Sequence, residues 1–266
     1  MPKTREFLPT GVQQQRKSTA AAFPNLTANL DYPATEVGVI GNVTVSYDAS
    51  LGSQGLDLAN QLLNSVAAPY QDMQTFFGIT GDAVTALIAP LSGNNDGSGG
   101  AYHYGCDFVS GNVLYLDATF ASIVNPLNFE TGLYVAELSE CFMGAQGLGW
   151  VCGSSNGEGL SRYLAEVETP AGTLDAFATG PAWAQAGFPD WVSTTEATDQ
   201  DSVSTGCAVV YIYWLRSLGY TTAQITQAGG ATLAANYQTL TGKTTAYVDL
   251  LAAVQPLTVT SDNPFG

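Results

Sequence analysis

A chain of 266 residues, 45% of them hydrophobic, is long enough to bury one full core or two lobes around a shared cleft. Only 11% of the residues are charged, and after position 17 three bases face 22 acids, a net charge of −19. That balance excludes nucleic acid and anionic membrane surfaces as partners of the folded body, and no apolar run is long enough to span a bilayer.

Residues 1–34 are polar and basic, carry Lys3, Arg5, Arg16 and Lys17, and are interrupted by Pro9, Pro24 and Pro33. They read as a loosely attached arm, leaving 35–266 as a single domain. Residues 36–48 alternate β-branched with small or polar residues around Gly41-Asn42, the chemistry of a strand or hairpin. In 55–78, Leu58, Leu62, Val66, Tyr70 and Met73 recur at helical spacing, predicting one long amphipathic helix with a kink before Pro69. Residues 85–91 predict a short buried strand. The polar glycine-rich run 91–100 is a loop, and 101–118 read as two strands hairpinned about Ser110-Gly111-Asn112. Beyond Asn128 the pattern turns helical: one helix from about Thr131, another over 157–168, an irregular stretch from Thr169 to Asp201, then further helices punctuated by glycine. Strands first and helices afterwards predict an α+β fold.

Four cysteines, Cys106, Cys141, Cys152 and Cys207, contain no CxxC pair, which excludes a zinc ribbon or thioredoxin motif. The even count permits disulfides, with Cys141 and Cys152 closest in sequence, and equally permits buried free thiols. Low charge and abundant Gly, Thr and Ser lean towards an extracellular protein, although the first residues lack the apolar core of a signal peptide.

Chemistry concentrates in the helical half. Glu137 and Glu140, three positions apart in AELSECFM, share one side of a helix, and Leu138 and Phe142 form a stripe directed at the core. A third acid, Glu158, opens the next helix in NGEGLSRYLAE, one turn ahead of Arg162, which is placed to satisfy it. Carboxylates held close together and partly buried can split their proton affinities, as an acid and base pair requires. Gly153 to Gly157 satisfies GxSxG, but the one histidine, His103, precedes it, and a helix-to-helix turn accounts for the glycines. His103 and Cys106, three apart on a predicted strand, point to opposite faces. Asn94, Asn95 and Asp96 lack the spacing of an EF-hand and read as a surface turn.

These residues resemble the frame of the gluzincin metallopeptidases, which place HExxH on one helix and a ligand glutamate on the next. AELSE stands at 136–140 and Glu158 follows 18 residues after Glu140, and the likeness spans about residues 99–220. The resemblance implies a zincin-like α+β fold: a small twisted sheet with an exposed edge strand, then the active-site helix and a mostly helical C-terminal half. It also implies a cleft between the strand near His103 and the glutamate-bearing helices, with Glu137 as general base. His103 and Tyr211 would be further catalytic residues, Tyr211 donating to a tetrahedral intermediate, and Glu140 and Glu158 would be metal ligands. Ala136 replaces the first zinc-binding histidine and Glu140 the second, so the set is oxygen-rich and suits a divalent cation, calcium or magnesium ahead of zinc. The expected protein is therefore a non-conventional or inactive peptidase homologue, acting on peptide or protein if active. Two alternatives stand beside it. One is a secreted or surface binding protein that self-assembles by docking its cationic arm on the anionic body of a second copy. The other is a metal-independent carboxylate hydrolase such as a glycosidase, set by the separation of its carboxylates.

Overall fold

A computed structural model describes residues 30–121 and 123–266. The basic arm, apart from its last five residues, lies outside the described residues, and with it the proposed docking segment. Five strands form one mixed sheet in the order β1-β2-β3-β5-β4: β1 Thr35–Ile40, β2 Val43–Tyr47, β3 Val84–Ala89, β4 Ala101–Tyr102 and β5 Val113–Asp117. The class is α+β, as the order of elements predicts. The centre of the sheet is nevertheless parallel, β2 to β3 and β3 to β5, with antiparallel pairs only at its two margins.

The first hairpin forms where the alternation places it, turning at Gly41-Asn42. The long amphipathic helix is two helices, α1 (Gly52–Ser65) and α2 (Ala67–Phe77), joined at Val66, and together they carry the chain from β2 across to parallel β3. Leu58, Leu62, Val66, Tyr70 and Met73 all enter the core. The second predicted hairpin is corrected in its connection. Only Ala101 and Tyr102 pair with β5, opposite Leu116 and Tyr115, so ten residues, 103–112, form a loop between the two strands.

Helix α3 (Pro126–Gln146) runs through the middle of the molecule, and every residue from Phe129 to Met143 is buried. The expected contrast between a core stripe and an acidic outer side does not occur, because α2, α4 (Ser155–Val167), α1, β4 and β5 surround it. Helix α6 (Ser202–Ser217) packs on α4, with α5 (Gly180–Gln185) beside it; α7 (Thr222–Gln227), α8 (Leu233–Thr241) and α9 (Ala246–Val254) complete the helical half. On the other side of the sheet Leu87, Tyr102, Val113 and Tyr115 form a smaller apolar cluster covered by Leu30 and Tyr32. Asp31 accepts hydrogen bonds from the Tyr102 and Tyr104 hydroxyls at 2.5 and 2.6 Å. Leu30, Asp31 and Tyr32, inside the stretch that reads as arm, are thus packed against the sheet. Among the described residues no helix is long and apolar enough to cross a membrane.

Candidate functional site

His103 lies immediately after β4, at the start of the 103–112 loop, and two contacts hold that loop against α3 and the connection that follows it. Cys106 is joined to Cys152 by a disulfide, linking the loop to the α3–α4 connection. Cys141 on α3 donates its thiol to the Gly111 carbonyl at 3.3 Å. Asp107 gathers the turn by accepting from the Val109 and Ser110 amides at 2.8 and 2.7 Å, and these bonds hold its carboxyl below the usual range against the opposing effect of burial. Two glycines supply clearance. A Cβ on Gly111 would lie 2.6 Å from His103 Nδ1, and one on Gly144 would overlap the Cys106 carbonyl oxygen. The disulfide does not join the sequence-nearest pair, Cys141 and Cys152; Cys141 and Cys207 are buried and outside any disulfide.

This packing carries the imidazole to the α3 carboxylates. His103 Nε2 is 2.9 Å from Glu140 Oε2 and 3.7 Å from Glu137 Oε2, and all three residues are about 1% exposed. The imidazole and the Glu140 carboxyl are hydrogen-bonded, the ring donating when the carboxyl is ionised. Glu137 and Glu140, read from the sequence as a pair, thus form one buried cluster with His103.

Glu158 sits in the first turn of α4, and Arg162 one turn later donates its Nε to Glu158 Oε1 at 2.9 Å and its Nη1 to the Phe177 carbonyl at 2.6 Å. Both residues are almost wholly buried. A guanidinium fixed beside Glu158 already supplies the positive charge that a cation would bring to that expected ligand. The Glu140 and Glu158 set thus does not fit the metal that the gluzincin resemblance implies. Tyr211 is also reassigned. Its hydroxyl lies 2.9 Å from the Leu233 carbonyl and 3.0 Å from Asn236 Oδ1, both acceptors, so its proton ties α6 to α8 and is committed there.

Two acidic features escaped the sequence reading. Glu130, on α3 seven residues before Glu137, is fully buried; burial drives its carboxyl well above the normal range, and Thr119 donates to it at 2.8 Å. The repeat of acids along this helix was the available signal. The second feature is a cleft of about 220 Å³ lined by Glu166, Tyr213, Leu174, Asp175, Ser261 and Asp262, among others. Burial and then the neighbouring Asp262 push the Glu166 carboxyl up to about 9, and it shares a hydrogen bond with Asp262. Asp262 in turn accepts from the Thr179 amide at 2.7 Å and from the Gly180 amide, and Tyr213 donates to Glu166 at 2.5 Å. Nothing in the local sequence joins positions 166 and 262.

The Glu166 proton has a stability consequence. Because the folded value is raised above the ordinary 4.5, the stabilisation is complete below about pH 4.5 and is lost as pH rises towards 9. Glu166→Gln keeps a neutral donor beside Asp262, so we expect it to gain about 2 kcal/mol over wild type at pH 8 and to converge with it near pH 4.5. Urea denaturation at the two pH values measures this, and a variant less stable at pH 8 would contradict the assignment of the proton.

No family model, curated protein or solved structure matches the chain.

Proposed function

We propose that this protein is a divergent gluzincin relative in which metal-dependent peptide hydrolysis has been replaced, leaving a carboxylate-lined site closed by its own histidine. The observation that carries this reading is the seating of His103 against Glu140 and Glu137, with all three withdrawn from solvent. An imidazole there gives Glu140 a buried hydrogen-bond partner in the place that a cation would otherwise occupy. A substrate carbonyl has no approach to Glu137 while this loop is in place. Arg162 acts in the same sense on Glu158.

Elemental analysis of the oxidised protein, together with peptide hydrolysis by wild type and Glu137→Gln, tests the proposal. We expect no stoichiometric divalent cation and the same background hydrolysis from both proteins. Bound metal at one equivalent, with hydrolysis that disappears in Glu137→Gln, would restore a working peptidase.

One observation favours a metal-independent hydrolase as the second reading, though with a different carboxyl pair from those on α3. Glu166 retains a proton beside Asp262 in a cleft, which is the division of labour that acid and base catalysis on a polar substrate requires. The hydrogen-bonded pair is closer than the roughly 5 Å or more that glycosidases keep and matches two carboxyls sharing one proton. Protein hydrolysis at acid pH that is abolished by both Glu166→Gln and Asp262→Asn would therefore support it, and none in the wild type would remove it.

A further inference from the structure

The disulfide places a potential metal ligand beside the histidine and glutamate just described. A ring nitrogen of His103, a carboxylate oxygen of Glu140 and the Cys152 sulfur lie within 4.8 Å of one another, and all three residues are buried. Bonds of about 2.0 Å to nitrogen and oxygen and 2.3 Å to sulfur put tetrahedral zinc ligands roughly 3.3–3.8 Å apart. The cluster is therefore within about 1 Å of that geometry, and the His103–Glu140 separation must open slightly from 2.9 Å to admit the ion. While Cys152 is bonded to Cys106 its sulfur carries no thiolate and the set is incomplete.

We propose that reduction of the Cys106–Cys152 disulfide creates a zinc site from His103, Glu140 and Cys152, so that metal binding is gated by the thiol state of the loop. This site differs in composition from the gluzincin set and stands whether or not the chain is related to those peptidases. Its imidazole and thiolate are borderline and soft donors, and with one carboxylate they make a mixed N, S, O set that favours zinc over calcium or magnesium. Glu137 Oε2, 3.7 Å from the His103 nitrogen, is at hand for the fourth position or for a water held there.

The chemistry balances with a phosphine as reductant. Phosphorus attacks one sulfur and the S–S bond breaks. Water then delivers oxygen to phosphorus and hydrogen to both sulfurs, leaving a phosphine oxide and two thiols. Zinc displaces the proton of the Cys152 thiol. At His103 the ring changes tautomer, so the nitrogen that met Glu140 offers its lone pair and the other ring nitrogen carries the hydrogen.

The test uses the whole chain, oxidised or reduced by a phosphine and freed of excess reagent, with zinc measured after gel filtration. Cobalt(II) serves as a spectroscopic substitute whose thiolate charge-transfer band reports a sulfur ligand. We expect less than 0.1 equivalent of zinc in the oxidised protein and about one equivalent after reduction, with the cobalt–thiolate band only in the reduced state. Cys106→Ser, which frees Cys152 without any reductant, should bind one equivalent as isolated. Cys152→Ser and Glu140→Gln should lose at least tenfold in affinity under reducing conditions. Circular dichroism confirms that each variant is folded. Equal zinc in the oxidised and reduced protein, or full binding by Cys152→Ser, would overturn the proposal. Failure of the peptidase test above leaves it untouched, since zinc content and the cobalt spectrum do not depend on turnover.

Discussion

Arg162→Met is expected to lower stability by about 3–5 kcal/mol, enough to shift the thermal midpoint by roughly 10 °C in a chain of this size. Arg162 is 2% exposed and, among the described residues, is the base placed among the acids of the α4 interior. It donates to Glu158 and to the Phe177 carbonyl, and its charge also favours the ionised forms of Glu166 and Asp262. Methionine fills much of the volume, so the loss is one of charge compensation and hydrogen bonds, and buried carboxylates remain behind. The double variant Glu158→Gln, Arg162→Met removes the largest uncompensated charge and should recover at least about 1 kcal/mol of the loss. Chemical denaturation of the two variants decides the matter. A single variant within about 0.5 kcal/mol of wild type would mean that the buried pair contributes little.

Gly144→Ala is the second substitution with a large expected effect, at about 3 kcal/mol or more, because the new methyl group would occupy the position of the Cys106 carbonyl oxygen. Alanine is otherwise the better helix residue by up to about 1 kcal/mol, so propensity alone predicts the opposite sign. The overlap is with backbone, which cannot swing aside as a side-chain end does, and the disulfide at Cys106 prevents the loop from simply lifting away. The cost should therefore fall when the loop is released. In a Cys106→Ser, Cys152→Ser background we expect Gly144→Ala to cost at least about 1 kcal/mol less than in wild type, a coupling that a double-mutant cycle measures. No coupling would show that the clash is relieved by movement of α3 instead.

The sheet strands and most helices were legible because local patterning governs them. Alternation in 36–48 and the Leu58, Leu62, Val66, Tyr70, Met73 spacing are each set by one element and the face it buries. Glu158 and Arg162 were readable as a pair for the same reason, four residues apart on one helix. The placing of His103 near the glutamate helix came only with the gluzincin resemblance, and nothing in the local pattern showed the contact itself. Treating 101–106 as strand placed His103 and Cys106 on opposite faces, whereas the chain leaves the sheet after Tyr102 and is bound to α3 by contacts that come from far along the sequence. The all-round burial of α3 was hidden likewise, since Glu137 and Glu140 are polar by composition and become interior only through the elements packed around them. Glu166 and Asp262 form the extreme case, meeting across almost a hundred residues.

The brevity of β4 constrains what can join this molecule. With Ala101 and Tyr102 as its whole length, that margin offers an incoming extended segment too short a ladder to hold, and the covalently tethered turn begins one step later. Growth of the sheet by a ligand backbone or a neighbouring copy would have to occur at the opposite margin, along β1. There the pairing with β2 slips register between Glu36 and Gly38, an irregularity of the kind that bends a border strand out of line with an intruder.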